Sequence, residues 1–315
     1  MKVMPPMSAS QFSSGDVIAD RRADYARMLS ESDEFSAAAE LMEQALEITP
    51  QWAAGWFRLG EYREKAGLTD PAVIAYRKTL ALDPEDVFAA ALKLALLGAE
   101  QVPEQPPSRY VESLFDDYAD RFDTALVEKL DYSVPDKLAA LVRPQAPFAT
   151  VVDLGCGTGL FGAEIREVTT RLEGFDISAN MLARAERKQL YDHLGQSDLT
   201  LPADESGLFD GQENHRADLV SAADVLMYLG SLETVFPLVT ELLTADGLFA
   251  FSVEDAGAGN GFVLRESMRY AHSEDYILGL LQTYGFELLD SEKTVIRMDG
   301  GNAIHGILFL SRKAV

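Results

Sequence analysis

The sequence predicts two folds in series: a short all-α array of helical repeats, then an α/β domain with a doubly wound, mostly parallel sheet. Three observations predict them. Helical segments closed by proline recur, FSAAAELMEQALEITP ending at Pro50 and DPAVIAYRKTLALDP at Pro84, 34 positions apart. From Ala149 onward, apolar runs alternate with amphipathic stretches, as in parallel strands joined by helices. One of those runs, VVDLGCGTGLFGAEI over Val151–Ile165, passes through three alternate glycines before a helical pattern.

Each element follows in order. Residues 1–18 read as a flexible tail, and MKVMPPMSASQFSSGD has no apolar core of a secretory signal. Residues 19–98 read as the repeats. Counting back from each proline, Ala38 matches Ala72, Met42 matches Tyr76, Ala45 matches Thr79 and Leu46 matches Leu80. Small residues let paired helices approach, and the proline stops the second helix. With Trp56, Leu59 and Gly60 at first-helix positions, this resembles the tetratricopeptide repeat (TPR), a helix–turn–helix unit, and DVFAAALKLALLG reads as a capping helix. Two units and a cap are few for such an array, which suggests support from elsewhere in the chain or from a second copy. The repeats read either as a structural cap or as a docking groove. Residues 99–108 carry Pro103, Pro106 and Pro107 and read as a semi-extended linker.

Residues 109–315 form the second domain. Tyr110, Leu114, Tyr118 and Phe122 fall near helical spacing. Strands are expected at ATVVDL, RLEGFDI, ADLVSAA and GLFAFSV, with a helix at ANMLARAERK and another between the last two strands. GFELLDSEKTVIR and HGILFLS read as an antiparallel pair around MDGGNA.

Bulk composition narrows the function. The 315 residues are 47% hydrophobic and 25% charged, as in a globular protein, and no apolar run is long enough to span a membrane. The net charge is −24 and both halves are acidic, which argues against nucleic acid as a partner. A single cysteine, Cys156, excludes an intrachain disulfide and a cysteine-cluster metal site; no metal is expected, and the cytoplasm is the expected compartment.

Gly155, Gly157 and Gly159 directly follow the first strand, where side chains would keep a ligand from the backbone. Asp176 stands 23 residues after Asp153, at the end of the second strand. A carboxylate there accepts hydrogen bonds from both vicinal hydroxyls of a ribose. Two cofactors remain open on this reading. A dinucleotide site wants G-x-G-x-x-G; here the spacing is G-x-G-x-G behind Asp153, and that charge suits an ammonium better than a pyrophosphate.

DLGCGTG resembles the first motif of class I methyltransferases that use S-adenosylmethionine. GFDISANML, QSDLTLP, DLVSAADVLMYL and LTADGLFAFSVE continue the resemblance in order, from about residue 109 to the end. With the repeats, the chain looks like a bacterial-type TPR-containing methyltransferase of unassigned substrate. That resemblance implies a Rossmann-like, seven-stranded sheet with the last strand antiparallel. It also implies residue roles: Asp153 and the Gly155 carbonyl at the methionine ammonium, Asp176 at the ribose and Ile177 on the adenine. Asp198 and the Leu199 amide would meet the adenine edge, and Ala222, Asp224 and Tyr228 would border the methionine moiety and the reacting centre. Each acid has a plainer role: Asp153 capping its loop, Asp198 solvated, Asp224 capping a helix.

Methyl transfer demands alignment above all, and a base only when the acceptor arrives protonated. Arg269, Tyr270 and His272 offer a cation, an aromatic wall and a base within four residues, read as the acceptor rim; alternatively Arg269 and His272 pair with acids such as Glu254 and fix a loop. Helix 110–122 reads as a lid that places the Tyr118 ring against a sulfonium, or as a plain amphipathic helix. AADVLMY replaces the N/D-P-P-Y of enzymes acting on planar nitrogens. The remaining acceptors are oxygen or amine nucleophiles on a small molecule, or a side chain of a protein docked by the repeats. A cofactor-binding scaffold without turnover and an NAD(P)-dependent oxidoreductase are the other classes.

Overall fold

The computed structural model describes residues 13–119, 122 and 132–314. The chain divides into two compact units between Ser113 and Leu114.

The first unit is all helical: α1 (Val17–Glu31), α2 (Phe35–Ile48), α3 (Ala53–Lys65), α4 (Thr69–Leu82) and α5 (Ala90–Leu96). Asp16 caps α1 by accepting from the Ile18 and Ala19 amides. Ala38 and Ala72 are fully buried, and a Cβ at Gly60 would lie 2.5 Å from the Tyr76 ring, so close helix approach sets the identity of these positions. Tyr76 donates to Glu64 at 2.6 Å. The capping helix is shorter than expected: the Asp86 carboxylate accepts from the Ala90 and Ala91 amides at 2.7 and 2.9 Å and starts α5 there.

The second unit carries one sheet. Helix α6 (Ser108–Tyr118) leads into it, followed by α7 (Val134–Val142), β1 (Phe148–Leu154), α8 (Leu160–Ile165), β2 (Thr169–Asp176), α9 (Ala179–Lys188) and β3 (His193–Gln196). Then come β4 (Ala217–Ala222), α10 (Val235–Leu242), β5 (Leu243–Asp255), β6 (Phe262–Leu264), β7 (Tyr270–His272), α11 (Glu274–Thr283), β8 (Phe286–Asp299) and β9 (Asn302–Lys313). Strands β3-β2-β1-β4-β5 are parallel neighbours, β9 lies antiparallel against β5, and β8 flanks β9. The short β6–β7 hairpin was not expected; β7 pairs with β5 only at Glu254 and Asp255.

Both sheet faces are covered. One core joins Phe236 and Val239 of α10 and Ile277 of α11 to Val220, Phe249, Phe251 and Phe309; the other joins Leu138 of α7 and Phe161 of α8 to Val151, Leu219 and Leu308. Burying each such side chain contributes roughly 1.5–3 kcal/mol. The order of strands reverses between β1 and β4, so the crevice beyond their carboxyl ends is where an open α/β sheet takes ligands.

Candidate active site

The site grows from the turn that ends β1. Gly155 has φ +62°, and a Cβ there would overlap the Val225 side chain, so both conformation and space require glycine. The Cys156 amide donates to the Phe175 carbonyl at 3.0 Å, tying the turn to β2. Gly157 donates its amide to Asp176 Oδ2 at 2.8 Å, and the Ser178 amide donates to Oδ1 at 2.9 Å. Asp176 is thus fixed at the end of β2 with acceptor capacity left over, since a carboxylate offers about four acceptor positions. Burial raises its carboxyl to a pKa of about 6, against the pull of the Ser178, Gly157 and Ile177 amides.

Asp153 faces inward. Ser221 and Tyr191 donate to its two oxygens at 2.7 and 2.8 Å, and the residue is 1% exposed. Burial raises it to about 7 despite those hydroxyls. The carboxyl braces β1 against β4 instead of presenting itself to a ligand ammonium. The Tyr191 ring fills the space left by three glycines, with built Cβ positions 2.9 Å away at Gly159, 2.8 Å at Gly174 and in overlap at Gly162.

Around the turn stand the other expected residues. Ile177 is half-buried. Asp198 accepts from the Thr200 amide and hydroxyl at 2.9 and 2.7 Å, closing its own turn, with Leu199 buried beside it. Ala222 is fully buried at the end of β4. Asp224 has φ +58° and does not cap the helical turn Leu226–Tyr228, whose cap is Val225; its carboxylate pairs with Arg297 at 3.1 Å. Arg297, with a side chain 3% exposed, also pairs with Glu254 and donates to Met227 Sδ.

Above the turn lies an aromatic chain. Tyr118 meets Phe122 edge-on at 5.5 Å, Phe122 meets Phe115 at 6.4 Å, and Phe115 meets Tyr228 at 4.9 Å. Phe122 comes within 3.6 Å of a Cβ built on Gly157. The part of helix 110–122 beyond Ala119, except Phe122, lies outside the described residues. Asp116 anchors α6: it accepts from the Ser178 hydroxyl at 2.5 Å and the Asn180 amide at 3.2 Å, at the N-terminus of α9.

The expected catalytic trio separates. His272 is fully buried in β7, with Nε2 2.9 Å from the Gly230 carbonyl; burial lowers its pKa to about 4, which keeps it neutral. It is not a base at the rim. Tyr270, in the same strand, is fully buried and packs edge-on against Phe262 at 5.8 Å, so it is no acceptor wall. Arg269 alone reaches the site, with its guanidinium 5.8 Å from the Tyr228 ring centroid and Nε donating to the Tyr228 hydroxyl at 3.3 Å. Sequence reasoning missed Arg297, Tyr191, Asp116 and Tyr132. For Arg297 a signal existed, a lone cation inside the apolar run TVIRM.

A doubly wound sheet with an antiparallel β9 beside β5 and a glycine turn after β1 defines the class I methyltransferase architecture. Residues 152–249 match the family model described as a methyltransferase domain. The chain is an S-adenosylmethionine-dependent methyltransferase. It is 26% identical over 178 residues to the malonyl-(acyl-carrier protein) O-methyltransferase of Enterobacter lignolyticus, covering 51% of this chain and 68% of that one. It is also 26% identical over 161 residues to a probable S-adenosylmethionine-dependent methyltransferase of Saccharomyces cerevisiae, covering 50% of this chain and 52% of the yeast protein. The solved 1,6-didemethyltoxoflavin-N1-methyltransferase of Burkholderia thailandensis, bound to S-adenosylhomocysteine, shares the fold with TM-score 0.51 at 19% identity, over 69% of this chain and 94% of its own.

The residues present fit that cofactor. A buried carboxylate with spare acceptor positions suits ribose hydroxyls, the left-handed glycine turn leaves room for backbone contact, and the aromatic chain suits a sulfonium. Among the described residues, no helix is long and apolar enough to cross a membrane.

Proposed function

We infer that this protein moves a methyl group from S-adenosylmethionine to an oxygen or amine nucleophile on a small molecule by direct in-line displacement. The observation that carries the reading is Asp176, held by two amides beside the Gly155–Gly159 turn with acceptor capacity to spare. The bound cofactor supplies a methyl already activated by a positively charged sulfur. The chain's own residues bind, orient and exclude water. Asp176 holds the ribose, Ile177 packs on the adenine, and Asp198 with the Leu199 amide meets the adenine edge. Gly155 and Gly157 allow the backbone to approach, while Asp153 stiffens the turn from beneath. Phe115, Tyr118, Phe122 and Tyr228 form the apolar cover, and Asp224, locked by Arg297, shapes the reacting end. Alignment of this kind contributes several kcal/mol to the rate.

Thermal unfolding with S-adenosylmethionine, S-adenosylhomocysteine and NAD tests the reading. Ligand at one hundred times Kd adds about 2.7 kcal/mol, so both sulfur ligands raise Tm by several degrees. NAD does not, and Asp176→Ala loses the shift. Equal stabilisation by NAD, or a full shift in the variant, would overturn the assignment.

A second reading concerns the helical unit, which we take as two TPR-like repeats that dock a partner or substrate protein. It rests on the paired helices with Ala38 and Ala72 at their contacts and on a cavity of about 520 Å³ lined by Trp52, Val87, Phe88 and Asp83.

A further inference from the structure

At the reacting end, three hydrogen-bond donors are left over after the protein's own contacts are counted. Arg269 is the first. Its side chain is 25% exposed and held by two long bonds, Nε to the Tyr228 hydroxyl at 3.3 Å and Nη1 to Asp299 at 3.4 Å. Its Nη2 has no partner among the described residues. The second is the Tyr228 hydroxyl, which accepts from Arg269 and so keeps its own proton to give. The third is Tyr132, which precedes α7. Its hydroxyl has no hydrogen-bond partner among the described residues, and its side chain packs on the apolar cluster that holds Ile296 and Ala223, the chain neighbours of Arg297 and Asp224.

The acids nearby are already engaged. Arg297 holds Asp224 and Glu254, and Ser221 with Tyr191 holds Asp153. None is free to take a proton from an acceptor. Enclosure and the neighbouring carboxylates hold the Tyr132 phenol well above its usual pKa, so it donates and does not act as a base. An unpaired guanidinium edge beside the Tyr228 hydroxyl, with a second phenol at Tyr132 nearby, suits a planar oxyanion that needs no base.

Resting on the methyltransferase reading, the geometry points to a carboxylate as the methyl acceptor, held by Arg269 and by the hydroxyls of Tyr132 and Tyr228. A carboxylate is ionised at neutral pH, so its oxygen lone pair attacks directly. An oxygen–carbon bond forms to the methyl as the carbon–sulfur bond breaks. The bonding pair stays on sulfur, which becomes the neutral thioether of S-adenosylhomocysteine, and no proton is released. The product is a methyl ester. Arg269 and the two tyrosines bind the acceptor; Arg297 is a positioning residue that acts through Asp224.

The test uses the full chain loaded with S-adenosylhomocysteine and probed by glutarate, hexanoate and phenylacetate, beside hexylamine, phenol and hexanamide. Carboxylates should raise Tm further and the other probes should not. Tyr132→Phe and Arg269→Gln should each weaken carboxylate binding by about tenfold or more, the scale of a lost hydrogen bond to a charged group, while the shift from S-adenosylhomocysteine alone persists. With methyl-labelled S-adenosylmethionine, label on a carboxylate probe should be released by mild base as volatile methanol, the signature of an ester. No response to any carboxylate, an equal response to hexylamine or hexanamide, or unchanged binding in both variants would overturn the inference alone. Loss of the S-adenosylhomocysteine shift in the unaltered protein would overturn the methyltransferase reading and the inference with it.

Discussion

At the residue scale, one cation holds the reacting end together. Arg297 is enclosed with Asp224 and Glu254 and has nowhere to release either charge to water. Removing one member of such a group strands its partners, at a cost of about 3–5 kcal/mol. Arg297→Met should therefore lower Tm by roughly 10 °C in a unit of this size, as read by calorimetry. Arg269→Met, at a partly exposed pair, should cost less than about 1 kcal/mol. Equal small losses in both variants would show that the buried group contributes nothing special. Arg297 was hard to read from sequence because a strand ending in charged residues looks solvated. Its burial depends on Asp224 and Glu254, 73 and 43 positions away in the chain, a long-range grouping that no local pattern encodes. The same gap misplaced His272: Arg269, Tyr270 and His272 read as an acceptor rim, whereas Tyr270–His272 form a short strand against β5 whose residues are all buried.

At the element scale, the strands and helices that carry the cofactor turn were the most legible. Ala179–Lys188 and the β8–β9 pair lie where the alternation and the MDGGNA turn place them, because each element's apolar period is set by the sheet it packs on. The β6–β7 hairpin was not legible, since three-residue strands carry too short a period. Helix α6 reads either as a lid or as a plain amphipathic helix, and its anchor to α9 offers a way to tell the two apart. Asp116 binds the N-terminal end of α9, one turn from Asp176, so a ligand that orders Asp176 also orders the anchor of α6. Hydrogen exchange over residues 110–118 should slow on adding S-adenosylhomocysteine, and Asp116→Ala should lose much of that protection. Exchange unchanged by the ligand would make α6 a fixed amphipathic helix.

At the scale of the whole molecule, two buried acids make pH a stability variable. Asp176 and Asp153 titrate at about 6 and about 7 in the folded protein, both above an unfolded carboxylate near 3.9. Their contribution is therefore fully present below about pH 4 and lost as pH rises through 6 and 7. The net charge of −24 acts in the same direction through self-repulsion. Ligand-free Tm should fall between about pH 4 and 7, and Asp153→Asn should flatten the upper part of that fall, between 6 and 7. Cofactor binding runs the other way, because ribose hydroxyls donate to ionised Asp176. The Kd for S-adenosylhomocysteine should be about tenfold weaker at pH 5 than at pH 7, as titration calorimetry would show. A flat affinity profile would remove Asp176 as the hydroxyl acceptor.

Tyr191 reaches further than its single position suggests. Its ring occupies the volume vacated at Gly159, Gly162 and Gly174, and its hydroxyl steadies Asp153, so helix α8, strand β2 and the floor of the turn share one spacer. These positions form a lock that resists change one letter at a time. A methyl at any of the three glycines must displace the ring, while a smaller residue at 191 opens a void and frees an acid. In a library randomised at all four sites, position 159 should stay glycine because its φ of +89° disfavours any side chain, and bulk should be gained at 162 or 174 only where it is surrendered at 191.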